Sequence, residues 1–270
     1  MKKYIYILFC ITLSIHPCFS AEKIPPIKTD YFSAGIASFN YSDKADKYID
    51  KLNNIALDLQ LQFKISYMMF KIKSLYTNSL SKYSGITSTS TNFNGEVKNK
   101  FLRVELNFGF SYAFSERIQL TMPYIGLGLQ RWNRISELVS TNINEMNELF
   151  YIPIGANVVF QLAKGFLIGF NITFKPLLSA ITTVNLKEIY LNAEDNAYVK
   201  LKRGLLFQAE IPFEFYFADF IGLTLNFWMD YSTFGNNEIQ TVTGPPDYTV
   251  IISKRKITSL GVSLLVNFYF

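Results

Sequence analysis

From residue 55 to residue 69 the chain alternates without a break. Ile55, Leu57, Leu59, Leu61, Phe63, Ile65, Tyr67 and Met69 occupy one set of positions; Ala56, Asp58, Gln60, Gln62, Lys64 and Ser66 occupy the other. A helix would scatter both sets around its circumference, whereas a strand sorts them onto two faces. The same period-two rows recur along the chain. Leu102 to Phe114 alternate with Arg103, Glu105, Asn107, Gly109, Ser111 and Ala113, and comparable rows run through residues 150–162, 166–174, 205–217 and 221–229. Near Pro123 the row slips phase, from Leu120 and Met122 to Ile125, Leu127 and Leu129, which predicts a bulge or kink.

In a soluble sandwich the apolar rows would meet in a core and the opposite rows would carry surface charge. Here the apolar rows are long, and their partners are mainly Gly, Ala, Ser, Thr, Asn and Gln, with few of the Lys and Glu that solubility favours. The chain is 49% hydrophobic and 16% aromatic but only 17% charged, against roughly 25% charged in an average soluble domain. That balance suits a membrane barrel, with apolar residues towards lipid and small or polar residues inside. The fold expected is therefore all-β: a closed, antiparallel, up-and-down transmembrane β-barrel.

The connections support it. Residues 115–117, 163–165 and 218–219 make very short links, while residues 42–54, 80–100, 135–148, 179–202 and 235–256 make long polar ones. Short periplasmic turns and long external loops have this asymmetry. Phe215, Tyr216, Phe217 and Phe220 gather beside one short link, as an interfacial aromatic girdle would. Eight strands are clear. Residues 31–41 and 70–76 raise the number to ten, with a turn at residues 67–70 that has no Gly, Asn, Asp or Pro. Ten strands are favoured over eight by charge. The ten-strand phase sends Asp58, Glu105, Glu210, Glu214 and Asp230 inward with Lys64, Lys71, Lys73, Arg103 and Lys175, a balanced set forming a lumen polar network.

The amino-terminus predicts a signal peptide over residues 1–20. Lys2 and Lys3 form its basic region, residues 4–15 its apolar stretch, and cleavage follows Ser20 or Ala21. A periplasmic segment, 21–30, and the barrel, 31–270, complete the domain plan. His16, Cys10 and Cys18 all lie in the predicted signal peptide, so the expected mature chain has neither histidine nor cysteine. No disulfide, thiolate nucleophile, histidine base or histidine- or cysteine-based metal or haem site is expected, and no cofactor. The +5 net charge is modest and its positives are interleaved with acids, which argues against a nucleic-acid partner. Trp228 points inward by phase, where it packs the lumen or stacks on a ligand, and the glycines of "YIGLGLQ" (residues 124–130) make room for larger neighbours.

The last strand ends "VSLLVNFYF", with Val262, Leu264, Val266, Phe268 and the final Phe270 at alternate positions. With the apolar leader and the amphipathic strands, this resembles a bacterial outer-membrane β-barrel, of the size of small OmpA-like or opacity-type surface barrels. The resemblance implies that those five residues act as an assembly signal for the barrel-assembly machinery. It implies location in the bacterial outer membrane among its lipids. Enzymes among such barrels rely on a catalytic histidine, so no enzyme is expected, although Glu210 and Glu214 share a face. The expected role is that of a small surface barrel with a largely filled lumen. It would act through external loops in adhesion, host or immune interaction, or envelope integrity, with "GPPDY" (residues 244–248) shaping one loop that could meet a surface or host ligand. A narrow porin or small-solute channel is the alternative.

Overall fold

The computed structural model describes residues 27–45, 48–86, 92–137, 142–185, 196–201, 204–234, 240–242, 248–250 and 255–270. The predicted signal peptide and most of "GPPDY" lie outside them. The strands are β1 (Tyr31–Ala45), β2 (Tyr48–Ile65), β3 (Met68–Ile86), β4 (Asn92–Ser115), β5 (Ile118–Glu137), β6 (Asn142–Tyr151), β7 (Ile154–Ala163), β8 (Phe166–Val184), β9 (Ala197–Lys200), β10 (Leu205–Ala218), β11 (Ile221–Phe234), β12 (Gln240–Val242), β13 (Tyr248–Val250) and β14 (Arg255–Tyr269). Antiparallel neighbours follow chain order, and β14 pairs with both β11 and β1, with Tyr31 opposite Tyr269. The sheet thus closes on itself as a barrel of ten staves. Between β5 and β8, β6 and β7 are two halves of one stave, and β9 continues the β10 stave along β8. A separate hairpin, β12–β13, completes the described strands.

Closure leaves the barrel sheet without an open edge, the condition for crossing a bilayer with strands. The burial pattern is inverted relative to a soluble core. Ile36, Leu57, Leu106, Ile125, Phe174, Phe227 and Leu264 are exposed, while Ser33, Gln60, Asn107, Thr173, Asn226 and Ser263 are buried. Outward charges at Lys98, Lys100, Arg131, Glu148 and Lys256 bound the apolar band on one side. On the other side lie the short turns, where Phe217 and Phe220 are exposed. Within the last strand Val262, Leu264, Phe268 and Phe270 face outward.

Two expectations need correction. The row over residues 55–69 does not continue to Met69. The turn occupies Ser66 and Tyr67, with a positive φ of 56° at Ser66, and Ile65 pairs with Met68. Met69 therefore falls opposite Lys64 on the inner face, only 6% exposed. Three of the long polar links, 42–54, 80–100 and 135–148, are also largely strand among the described residues. β1 runs to Ala45 and β2 begins at Tyr48; β5 runs to Glu137 and β6 begins at Asn142. Polar residues pair their backbones as readily as apolar ones, and once outside lipid they have no need of an apolar face. The phase slip at Pro123 is present as a register shift between Thr121 and Tyr124, which turns both side chains inward.

Candidate functional site within the lumen

The inner face divides into three levels. Nearest the short turns is a vestibule of about 90 Å³ lined by polar side chains, among them Gln60, Asn107, Tyr124, Asn171 and Asn267. Next come charges that brace the barrel across its width. Lys73 on β3 reaches Glu210 on β10 at 2.6 Å, and Arg103 on β4 reaches Asp230 on β11 at 2.6 Å. Each of these pairs joins staves on opposite sides of the barrel. Lys175 on β8 meets Glu105 on β4 at 2.6 Å, and this pair is almost wholly buried. Two of the carboxylates have further donors: Asn171 and Gln208 to Glu210, and the Tyr151 hydroxyl at 2.8 Å to Glu105. Gln130 accepts from the Arg103 Nε and Nη2. Buried charges persist only when paired and hydrogen-bonded in this way.

Six of the ten residues expected in the lumen network thus form three ion pairs. The other four do not join them. Asp58 accepts from Gln60 at 3.3 Å. Lys71 donates to the Tyr31 hydroxyl at 3.0 Å, and Glu214 accepts from the Tyr269 hydroxyl. Lys64 lies at the rim, where its backbone N–H donates to Asp30 at 2.7 Å. Glu210 and Glu214 do share a face, but Glu210 is committed to Lys73, Asn171 and Gln208.

Above the Arg103 level the lumen is filled with rings. Phe39 packs on Trp228 and Phe101 with centroids 5.4 and 6.4 Å away, and Tyr41 meets Trp132 edge-on at 4.8 Å. Leu149, Val199, Leu201, Leu206 and Ile257 complete this plug. The indoles are satisfied, Trp132 by Asn99 at 2.9 Å and Trp228 by Ser263 at 3.2 Å. Glycines on adjacent staves create the room. A Cβ at Gly261 would overlap the Trp228 indole, and one at Gly128 would overlap the Tyr151 ring. Alternation by hydropathy assigns apolar residues to the lipid face and so misses most of the plug. Phase would have found it: Phe39 shares parity with Ser33 and Ala37, and Phe101 with Arg103 and Glu105.

Above the rings, beyond the apolar band, lies an ionic clamp that the sequence reading missed, because its residues sat at the margins of expected loops. Arg255 (β14) meets Glu145 (β6) at 2.5 Å, and Arg134 (β5) lies 3.7 Å from Glu145 and 3.6 Å from Asp43 (β1). The Arg134 guanidinium also covers the Trp132 ring at 4.8 Å, joining clamp to plug. Burial alone would raise the Glu145 pKa; Arg255 and Arg134 outweigh it and hold the carboxyl down at about 2. Among the described residues no group of acidic, histidine or cysteine side chains is arranged to hold a metal.

No family model and no curated protein sequence matches this chain. Solved structures do. The outer-membrane protease OmpT of Escherichia coli superposes with a TM-score of 0.69 at 8% identity, over 93% of this chain and 99% of that one. The translocator domain of the autotransporter NalP from Neisseria meningitidis gives a TM-score of 0.48 at 8% identity, over 100% of this chain and 95% of that one. The Pseudomonas putida toluene transporter TodX gives 0.41 at 8% identity, over 96% of this chain and 91% of that one. At these identities the likeness concerns architecture, and the chain has the fold of a bacterial outer-membrane β-barrel.

Proposed function

We propose that this chain is a bacterial outer-membrane surface barrel with a closed lumen, which acts through the part of the barrel and the loops that project beyond the apolar band. The observation that carries the reading is the sealed stack above the vestibule, in which Phe39, Phe101, Trp132 and Trp228 are buried beneath Arg134 and Arg255. A barrel of this strand number has an interior close to what side chains can fill, and activity then moves to the exposed end, where partners reach it. The short-turn end would face the periplasm. The projecting end would present a binding surface to an external or host ligand, in adhesion or envelope integrity.

On this reading the chain is not a hydrolase. The chain's one histidine, His16, lies in the predicted signal peptide, and Glu105, Glu210 and Asp230 are engaged by cations. At 8% identity the likeness to a protease supports the barrel architecture alone. Purified protein in planar bilayers is expected to give no stable conductance; ion-selective steps would overturn the closed barrel and favour a narrow channel.

A further inference from the structure

Two opposite charges face the vestibule without meeting. Lys71 and Glu214 both line it. Among the described residues no carboxylate lies within 4 Å of the Lys71 ammonium, and no lysine or arginine nitrogen lies within 4 Å of the Glu214 carboxylate. The other two acids lining the cavity, Glu105 and Glu210, are neutralised by Lys175 and Lys73. A flexible lysine and a glutamate sharing a low-dielectric cavity gain by collapsing into contact. Two tyrosines hold these apart. Lys71 donates to the Tyr31 hydroxyl at 3.0 Å, Tyr269 donates to Glu214, and the two rings stand edge-on with centroids 6.1 Å apart. The rings are fixed by the closing seam, where Tyr31 is directly opposite Tyr269. An ammonium has three donors, so two remain on Lys71; the Glu214 carboxylate also faces the Tyr216 hydroxyl, and its four lone-pair sites leave room for a further donor. Amides of Gln62, Asn107 and Asn267 line the same space.

We infer that the vestibule binds a small zwitterion of the α-amino acid class, its carboxylate on Lys71 and its ammonium on Glu214. A lysine and a glutamate held apart match such a ligand and are poorly matched by a simple anion or cation, each of which leaves one of the two unanswered. The size agrees. At 10–15 Å³ per water, a cavity of about 90 Å³ admits about six to nine water-sized groups, which suits alanine or serine. The plug makes the site a dead end reached from the short-turn mouth. There Lys28 lies 5.5 Å from the Tyr269 ring centroid and 3.6 Å from the Asp219 carboxylate. The inference does not depend on what the projecting end binds.

The test is equilibrium dialysis of the purified full chain in detergent micelles against radiolabelled L-alanine, with acetate and methylamine as half-ligands. Saturable retention of one alanine per chain is expected, with each half-ligand at least tenfold weaker. Lys71→Met and Glu214→Gln should each weaken alanine retention at least tenfold while the protein keeps its heat-modifiable gel mobility. Absence of alanine retention by the unaltered protein overturns the assignment. So does acetate bound as tightly as alanine, which would leave an anion site on Lys71 alone. The half-ligand comparison uses the unaltered protein, so it decides the question even if a variant fails to fold.

Discussion

At the short-turn end of the lumen, charges stand among amides and hydroxyls around an open vestibule. Past Arg103 the same inner face carries Phe39, Phe101, Trp132 and Trp228, packed against glycines and sealed by Arg134, Arg255, Asp43 and Glu145. One region is wet, with charge left available; the other is dry, and every group in it is enclosed. The difference teaches that an inner face need not be polar to be an inner face. What it requires is that each side chain be matched to what lies across the lumen. In the lower half the match is between charges on facing staves, and in the upper half it is between a ring and a missing Cβ.

Cutting one partner from each of two ion pairs of the lower half is the strongest way to test this comparison. Lys175 is 1% exposed and Glu105 3%, so Lys175→Met should cost about 3–5 kcal/mol by leaving a buried carboxylate unanswered. Lys73→Met should cost less, about 1.5–3 kcal/mol, because that pair is less buried, with Lys73 15% and Glu210 9% exposed. Urea unfolding in lipid vesicles measures both, and equal losses would mean that the small difference in exposure does not matter. A smaller effect is expected from Gly128→Ala, where the new methyl must displace the Tyr151 ring. Overpacking of that kind costs about 1–3 kcal/mol, and the same titration would show it; an unchanged midpoint would show that the ring can move aside.

Acid offers the mildest probe. Glu145 is held down at about 2, below its ordinary value of about 4.5. Its contribution is therefore complete above about pH 4.5 and is lost as pH falls from there towards 2. The chain's two tryptophans, Trp132 and Trp228, both lie in the plug, so their emission reports on this region alone. Emission should hold steady from pH 7 to about 5 and shift to the red below about 4.5. Arg255→Met should move the onset to higher pH, and an identical onset in that variant would remove the clamp as the cause.

Much of the wall was legible in the sequence. Ten staves, their outward rows and the Pro123 slip follow from alternation, because lipid imposes one rule on every outward position. The inward charges were also legible as a set, and their partners were not. Lys73 lies directly opposite Glu105 on the neighbouring strand, yet it crosses the lumen to Glu210. Partner choice depends on barrel diameter and stagger, which no single strand encodes. Met69 was misplaced because a serine took a loop conformation more usual for glycine, and a single displaced turn residue flips every following side chain. Arg134 and Glu145 were assigned to loop margins because their strands continue past the apolar band, where hydropathy no longer marks a strand.

The seam between β1 and β14 bears on the order in which the molecule can be made. The first stave has no second neighbour until the last one exists, so its outer row of N–H and C=O groups must wait for the final residues of the chain. Contacts so distant along the chain are slow to form, and an unpaired edge invites other chains meanwhile. Closure therefore acts as a check on completeness. A chain cut short within β14 would lack the register that sets Tyr269 against Tyr31, and would keep two open edges where the finished barrel is closed.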